Sequence, residues 1–457
     1  MLSAVEIAKT LNIKYEGKNY EYSGITTDSR KMEPGQVFLA LQGEKFDGHN
    51  FLKDVVAAGV KAVIVSKDVL LPADVVKFVV PDTLYAYQKL AEAHRLQHKQ
   101  VRVIAITGSN GKTSSKDMLA HILAKKYKVV KTEANFNNEI GIPKTLFNIK
   151  DDTEIVVVEM GMRGFGQIAD MCGVAHPESG IVSNVGETHI EILGSIENIA
   201  KAKGELVERL DGNGFAVLNG DNEYTRDMVN RTNAQVFCFG LKQDNDYYAT
   251  GIEMKSSGTD FMCTEKFSGR KVNVHLPTLG IHNIYNALSA MAMAVCYGMD
   301  IAECARALED VALTERRLEI IERQGVTFID DSYNASPASM KIALETLKLV
   351  KDGTDPKKQA RSIAVLADML ELGEIAEPSH RQVGRQCAET RADYLFCYGE
   401  NARYIYEEAK KRGVRSQLCE NVRHTYQCLD HVLRRGDIVL LKGSHSMEVH
   451  KVLEYFG

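Results

Sequence analysis

The chain has 457 residues, 44% of them hydrophobic and 26% charged, with 35 Gly and 9 Pro. At roughly 150 residues per domain this is length for about three globular domains, which excludes a small stapled scaffold, a disordered chain and a fibre. Lys and Arg total 56 against 61 Asp and Glu, a formal charge of -5; with no overall positive field, nucleic acid is not an expected partner and any phosphate site must be local.

Up to about Pro81 the pattern is that of a small mixed α/β domain: β-rich runs at Gln36 to Leu41 and Ala62 to Ser66, Gly turns, and a helical stretch near Phe51 to Gly59. A helix from Thr83 to about Gln97 leads into Val101 to Ile106, a continuous apolar run suited to a buried parallel strand. Strands recur at Ile155 to Val158, Gly180 to Ser183 and Phe215 to Leu218 with helical patterns between them, an alternation that predicts βαβ units. A helix from Asn283 to about Tyr297 follows, then a charged helix to about Leu313. Strands at Val326 to Ile329, Ser362 to Leu366, Tyr394 to Cys397 and Ile438 to Leu441 predict a separate Rossmann-like domain. The expected fold is therefore α/β in three domains: 1–82, small and mixed; 83–313, a central P-loop ATPase-like parallel sheet; and 314–457, Rossmann-like.

Nine cysteines, with no C-x-x-C, exclude zinc ribbons and dithiol redox motifs and read as reduced core thiols. No stretch approaches the 18 or so apolar residues of a bilayer span, and Met1 to Asn12, with Glu6 and Lys9, lacks a signal-peptide core. The expectation is a cytoplasmic monomer without membrane insertion.

The strongest chemical signal is Thr107-Gly108-Ser109-Asn110-Gly111-Lys112-Thr113, between a buried strand and a helix from Ser114 to about Lys125. Glycines let backbone N–H groups approach phosphate, Lys112 neutralises the β- and γ-phosphates, and the Thr113 hydroxyl can ligate Mg²⁺. Ile106 replaces the first glycine of the general P-loop pattern, leaving the shorter G-x-x-G-K-T form. Glu159 ends a parallel strand, where ligands collect, and is a candidate Mg²⁺ ligand; on position alone it is equally a solvated loop carboxylate. His189 and Lys203, taken singly, read as an ordinary loop histidine and a surface lysine.

Together with Asn135-Phe136-Asn137-Asn138-Glu139-Ile140-Gly141, Glu159-Met160-Gly161-Met162-Arg163-Gly164 and Asp330-Asp331-Ser332-Tyr333-Asn334-Ala335, these residues make the chain resemble the Mur ligase family over essentially its full length. That family comprises ATP-dependent amide-bond-forming enzymes of peptidoglycan precursor synthesis. Within it, the strings are similar to those of the last-acting ligase, which joins D-alanyl-D-alanine to UDP-N-acetylmuramoyl-tripeptide. The resemblance implies ATP at Gly108, Ser109, Asn110, Gly111, Lys112 and Thr113. It implies one Mg²⁺ on Thr113 and Glu159, and a second held by His189 and a carbamylated Lys203, which would supply oxygen to a hard cation where an ammonium would repel it. Catalysis would rest on Lys112, His189 and Lys203.

The same resemblance implies that Asn283 contacts the adenine side of ATP, and that Arg317 and Asp331 reach phosphate and ribose. Ser29 and Arg30, then Asp47 and His49, lie in loops similar to those binding the uridine nucleotide; Asn135, Asn137, Asn138, Tyr333 and Asn334 are the further substrate candidates. Simpler local readings exist: an Asx turn at Asp28 to Arg30, a hairpin turn at Asp47-Gly48 and a polar loop at Asn135 to Asn138. Ala367, Ser336 and His445 stand where the family commonly has Gly, Asn and Arg, and His445 receives no role. Rival readings are a sibling ligase, against which the missing D-N-P-[RA] signature speaks, and a P-loop ATPase switch.

Overall fold

The computed structural model describes residues 2–43, 46–255, 258–313, 316–354 and 359–456. They divide into two compact units: Met1–Ile104 with Lys128–Met160 and Ala169–Pro177, and Ala105–Tyr127 with Gly161–Ile168 and Glu178–Gly457.

In the first unit four parallel strands, Gly24–Thr26, Gln36–Leu39, Ala62–Val65 and Val76–Val79, lie side by side in chain order. Alternate residues of each strand face opposite sides. Val37, Leu39, Ile64 and Phe78 pack with Ile7, Tyr87 and Leu90 on one face, while Phe38, Val63 and Val65 pack with Leu52 and Val55 on the other. Covering both faces explains why these strands read as apolar runs. Helix Ala4–Thr10 starts on a Ser3/Glu6 capping box and helix Thr83–Gln97 on the Asp82 carboxylate. The same unit pairs Val129–Lys131 with Ile155–Glu159 in parallel.

The strand Arg102–Thr107 begins in the first unit, where the Arg102 N–H donates to the Glu154 carbonyl at 3.0 Å, and ends in the second, where Thr107 accepts from the Ser183 N–H at 3.0 Å. In the second unit Ser179–Val182, Phe215–Asn219, Gln235–Gly240 and Tyr247–Lys255 pair successively in parallel; Gly258–Glu265 and Arg270–Leu276 then add an antiparallel meander. The expected charged helix to Leu313 is shorter, Ile301–Leu308. Glu309 and Asp310 sit where the helix dipole disfavours carboxylates, and Asp310 instead accepts from His121 and Lys125.

The last sheet runs, in spatial order, Glu319–Arg323, Val326–Asp330, Ile438–Lys442, Ser362–Ala367, Tyr394–Tyr398 and Arg415–Cys419, with only the first strand antiparallel. The four expected strands are its centre; the two polar edge strands were not anticipated. Inserting the final strand between the 326 and 362 strands creates a switch in strand order, the place where parallel sheets gather ligands. It sets Asp331, Lys442 and Asp368 together at the carboxyl ends: Lys442 bonds Asp331, and the Ser444 N–H donates to the Asp368 carbonyl.

All nine cysteines are free thiols, six of them buried. Among the described residues no helix is long and apolar enough to cross a membrane.

Candidate active site

The phosphate loop is clamped to the end of the Ser179–Val182 strand. The Ser109 N–H donates to the Asn184 carbonyl at 2.9 Å and the Asn110 N–H to Asn184 Oδ1 at 2.9 Å. Ser109 Oγ accepts from the Gly186 N–H, and Ser183 Oγ donates to the Asn110 carbonyl. Two loop N–H groups are thus used to fix the loop's shape, which leaves the start of helix Lys112–Ala124 as its phosphate-facing end. Gly108 and Gly111 have φ of 148° and 82°. A Cβ would strike Ser183 Oγ at the first and Asn286 Oδ1 at the second, so both glycines are required by conformation and by space. Lys112 folds back over the loop, its Nζ 2.8 Å from the Gly108 carbonyl.

Lys203, on helix Ile196–Glu208, is only 2% exposed and makes no hydrogen bond or ion pair with the described residues. Burial, and then the neighbouring Lys112 charge, hold its amine well below the usual lysine range. The expectation of a surface lysine fails: this helix is amphipathic, and Lys203 lies on its buried side with Ile199, Ala202 and Leu206. His189 occupies the left-handed region (φ 65°), with Nδ1 2.7 Å from Glu371 Oε2. Burial lowers its pKa, opposed by Glu371 and reinforced by Lys203 and Lys112.

A third group comes from the last sheet. Arg317 Nη2 donates to Thr113 Oγ1 at 2.9 Å, and its guanidinium lies 4.1 Å from the Tyr333 ring centroid. Tyr333 in turn packs its ring 5.7 Å from that of His445. Ser336 Oγ lies 3.4 Å from Asn110 Oδ1. Lys442, 1% exposed, donates to Asp331 Oδ2 at 2.5 Å and to the Asn334 carbonyl at 2.9 Å. Burial pushes the Asp331 carboxyl up against the pull of Lys442. The carboxamide of Asn283 is buried, donating to the Leu279 carbonyl and accepting from Asn286; one turn on, Asn286 also bonds Ser115. Beside them the His282 imidazole is pushed down to about 4 by burial and then by the Lys442 and Arg317 charges.

Asn286, Glu371 and Lys442 were missed from sequence. Asn286 had a usable signal, an asparagine at i+3 from Asn283 on one helix. Lys442 had a weaker one, a lysine ending an apolar strand.

In the first unit Glu159 is 1% exposed, its Oε1 accepting from Asn137 Nδ2 at 2.8 Å and its N–H donating to Thr132 Oγ1. It is not a solvated loop carboxylate. Asn138 Oδ1 accepts the Ile140 and Gly141 N–H groups at the start of helix Gly141–Leu146, and Asn135 is exposed. Ser29 and Arg30 lie in a short 3₁₀ turn capped by Asp28; Arg30 folds back on that carboxylate, with Nε 2.9 Å from Oδ1. The Asx turn is therefore present. Asp47-Gly48 is not a hairpin turn: Asp47 caps a 3₁₀ turn, accepting from the His49 N–H and ring and from Lys67. His49 Nε2 accepts the Ser66 N–H, so both ring nitrogens are engaged and the side chain fixes the loop.

Three family models cover the chain in succession: "Mur ligase family, catalytic domain" at 21–105, "Mur ligase middle domain" at 106–294 and "Mur ligase, glutamate ligase domain" at 316–445. A Bacillus subtilis protein named UDP-N-acetylmuramoyl-tripeptide–D-alanyl-D-alanine ligase is 35% identical over 94% of this chain and 92% of its own. The crystal structure of MurF from Acinetobacter baumannii superposes with a TM-score of 0.88 at 28% identity, covering all of this chain and 98% of that one. MurF from Thermotoga maritima, solved with ADP, gives 0.82 at 26% identity over 94% and 96% of the two chains.

Proposed function

The chain belongs to the Mur ligase family, and from that premise we propose that it joins D-alanyl-D-alanine to UDP-N-acetylmuramoyl-tripeptide, converting ATP to ADP and phosphate. The observation that carries the reading is the clustering, in one unit, of a clamped phosphate loop with Lys112, the buried Lys203 and Arg317 on Thr113. A buried amine held down by burial and by the neighbouring Lys112 charge, with the half-buried Arg317 guanidinium in the same unit, calls for an anionic ligand. ATP supplies it.

Three functional regions follow from the family: 1–82 for the uridine nucleotide, 83–313 for ATP and 314–457 for the dipeptide. Three matching models in succession support a threefold division, with their own first boundary at 105/106 rather than 82/83. Among the described residues no three His, Cys, Asp or Glu side chains gather as a ready metal site. That suits Mg²⁺, which binds through one or two carboxylates and substrate phosphates. The residues assigned to it are Thr113, Glu159, His189 and Lys203. The last fits only as a carbamate, and burial with the neighbouring Lys112 charge favours the uncharged amine, the form that adds CO₂. Mg²⁺, when bound, neutralises charge on the transferring phosphoryl group.

The tripeptide carboxylate attacks the γ-phosphate; the dipeptide amine then displaces phosphate from the acyl phosphate through a tetrahedral intermediate. Lys112 stabilises the phosphoryl charge, while Arg317 bridges Thr113 to the last sheet and orders the two around the nucleotide. The test is phosphate release with Mg-ATP and the tripeptide nucleotide, with and without D-alanyl-D-alanine, and the product read by mass. Dipeptide-dependent release yielding the pentapeptide nucleotide is expected. Release indifferent to the dipeptide favours a switch ATPase, and a different acceptor a sibling ligase.

A further inference from the structure

The antiparallel edge of the last sheet carries a cavity that the phosphate cluster does not use. On the strand Glu319–Arg323, alternate residues Glu319, Ile321 and Arg323 share one face, and the residue directly opposite Glu319 on Val326–Asp330 is Asp330. Helix Lys451–Glu454 packs against this edge, its Leu453 in one apolar cluster with Val326 and Phe328. A cavity of about 180 Å³ remains between them, with Ile321 and Leu453 as its apolar wall. Its charged wall sets Arg316 and Arg323 against Glu319, Asp330 and Glu454.

Two of these groups have capacity to spare. Asp330 is 3% exposed; its Oδ1 accepts the Ser332 N–H and hydroxyl, and among the described residues its Oδ2 accepts no hydrogen bond. Burial pushes its carboxyl up, with Glu319 adding to the push, against the Ser332 bonds and the Arg316 charge. Like charges directly opposite on paired strands repel, so Glu319 and Asp330 favour a donor between them. Arg316 is held by its main chain: its N–H donates to Glu319 Oε2 at 3.0 Å and its carbonyl accepts the Tyr333 N–H at 3.3 Å. Its half-buried guanidinium pairs with none of the described residues. One residue further along each segment, Arg317 meets Thr113 and Asp331 meets Lys442, so neighbouring residues serve two separate places.

We propose that this cavity binds a small zwitterion of the α-amino-acid class, its ammonium between Asp330 and Glu319, its carboxylate on the Arg316 guanidinium, and a short apolar side chain against Ile321 and Leu453. The charges select the class. Phosphate or any simple anion meets the carboxylates of Glu319, Asp330 and Glu454, and a metal cation meets Arg316 and Arg323, each a like-charge approach that costs affinity. A ligand with both charges satisfies both sides. Its ammonium brings three donors, one of them for Asp330 Oδ2, and its carboxylate accepts from a guanidinium fork. Size narrows the class further: a cavity of about 150 Å³ takes benzene, and alanine has as many non-hydrogen atoms. The space here therefore admits an amino acid with a small side chain and excludes a nucleotide. The proposal stands independently of the ligase reading.

The experiment follows the thermal midpoint of the full chain against D,L-alanine, ethylamine and propionate at matched ionic strength. The two single-charge compounds each carry one half of the zwitterion. Alanine is expected to raise the midpoint along a saturable curve, as a ligand of the folded state does, while ethylamine and propionate leave it in place. Asp330→Asn and Arg316→Gln, which keep the shape and remove a charge, are each expected to raise the half-saturating alanine concentration at least roughly tenfold. No shift with alanine, an equal shift with either single-charge compound, or an unchanged half-saturation in either variant overturns the proposal. Alanine held by the phosphate cluster instead keeps its affinity in both variants and so gives that overturning result. If Asp330→Asn fails to fold, Arg316→Gln, at a half-buried position, decides it alone.

Discussion

The loops at Asp28 and Asp47 and the cluster around Lys112 are built on opposite principles. In the first, the named charges are paired within the loop or the next one: Arg30 on Asp28, and His49 and Lys67 on Asp47. The hydrogen bonds hold Asp28 down to about 2 and Asp47 lower still. In the second, the Lys203 amine is buried beside the like charge of Lys112, and among the described residues His282 Nδ1 and Arg317 Nε have no hydrogen-bond partner. The first loops are shaped by their own chemistry and can offer a ligand only the groups left over. The second region is stable in spite of its charges, and its unsatisfied groups outline the ligand. Substitutions should therefore separate the two regions: large activity effects in the cluster, small ones in the loops.

The largest effect is expected from Lys112→Ala and Lys203→Ala, each bringing phosphate release to background, a loss of at least 10²–10³-fold. Short-chain carboxylic acids should restore part of the Lys203→Ala activity by replacing the carbamate oxygens, and should do nothing for Lys112→Ala. Full activity of Lys203→Ala without additive would break the contrast at its centre.

Next comes Lys442→Met. Removing one partner of a buried ion pair leaves Asp331 and the Asn334 carbonyl without their donor, a cost of about 3–5 kcal/mol read from the urea midpoint. The same neighbourhood gives a pH dependence. His282, pushed down to about 4, resists protonation in the folded state, while the unfolded chain takes up a proton near 6.5. Its contribution is therefore complete above about pH 6.5 and is lost as pH falls toward 4. The slope amounts to no more than about 3 kcal/mol across that window. His282→Gln should flatten it; an unchanged urea midpoint profile would show that other groups set the acid limit.

What the residues revealed in advance follows the same division. Central parallel strands such as Ile155–Glu159 and Ile438–Lys442 were legible because burial on both faces makes them continuous apolar runs. The Arg270–Leu276 edge and the Arg415–Cys419 edge were not, because a half-solvated strand can be polar at every second position. The phosphate loop was legible because its conformation demands glycine. Lys203, Glu371 and Lys442 were not legible from the residues alone, because each is set by a group far along the chain: Lys203 by Lys112, Glu371 by His189 and Lys442 by Asp331. A local sequence pattern has no term for such distances.

The smallest effect is expected at Arg30. Its side chain is 86% exposed, and its bond to Asp28 exchanges readily with water, so Arg30→Ala should leave the melting temperature unchanged. If the loop binds the uridine nucleotide, the same variant raises the KM for the tripeptide nucleotide several-fold and leaves kcat alone. That is the signature of a contact equally strong in the ground and transition states. His49→Ala behaves in the reverse way: losing the bonds to Asp47 and Ser66 loosens the loop, so melting temperature and KM move together. A fall in kcat for Arg30→Ala would place this loop in the chemistry and collapse the distinction between the two regions; a shift in KM alone keeps it, and shows that a loop closed on itself can still recognise a ligand with its one exposed guanidinium.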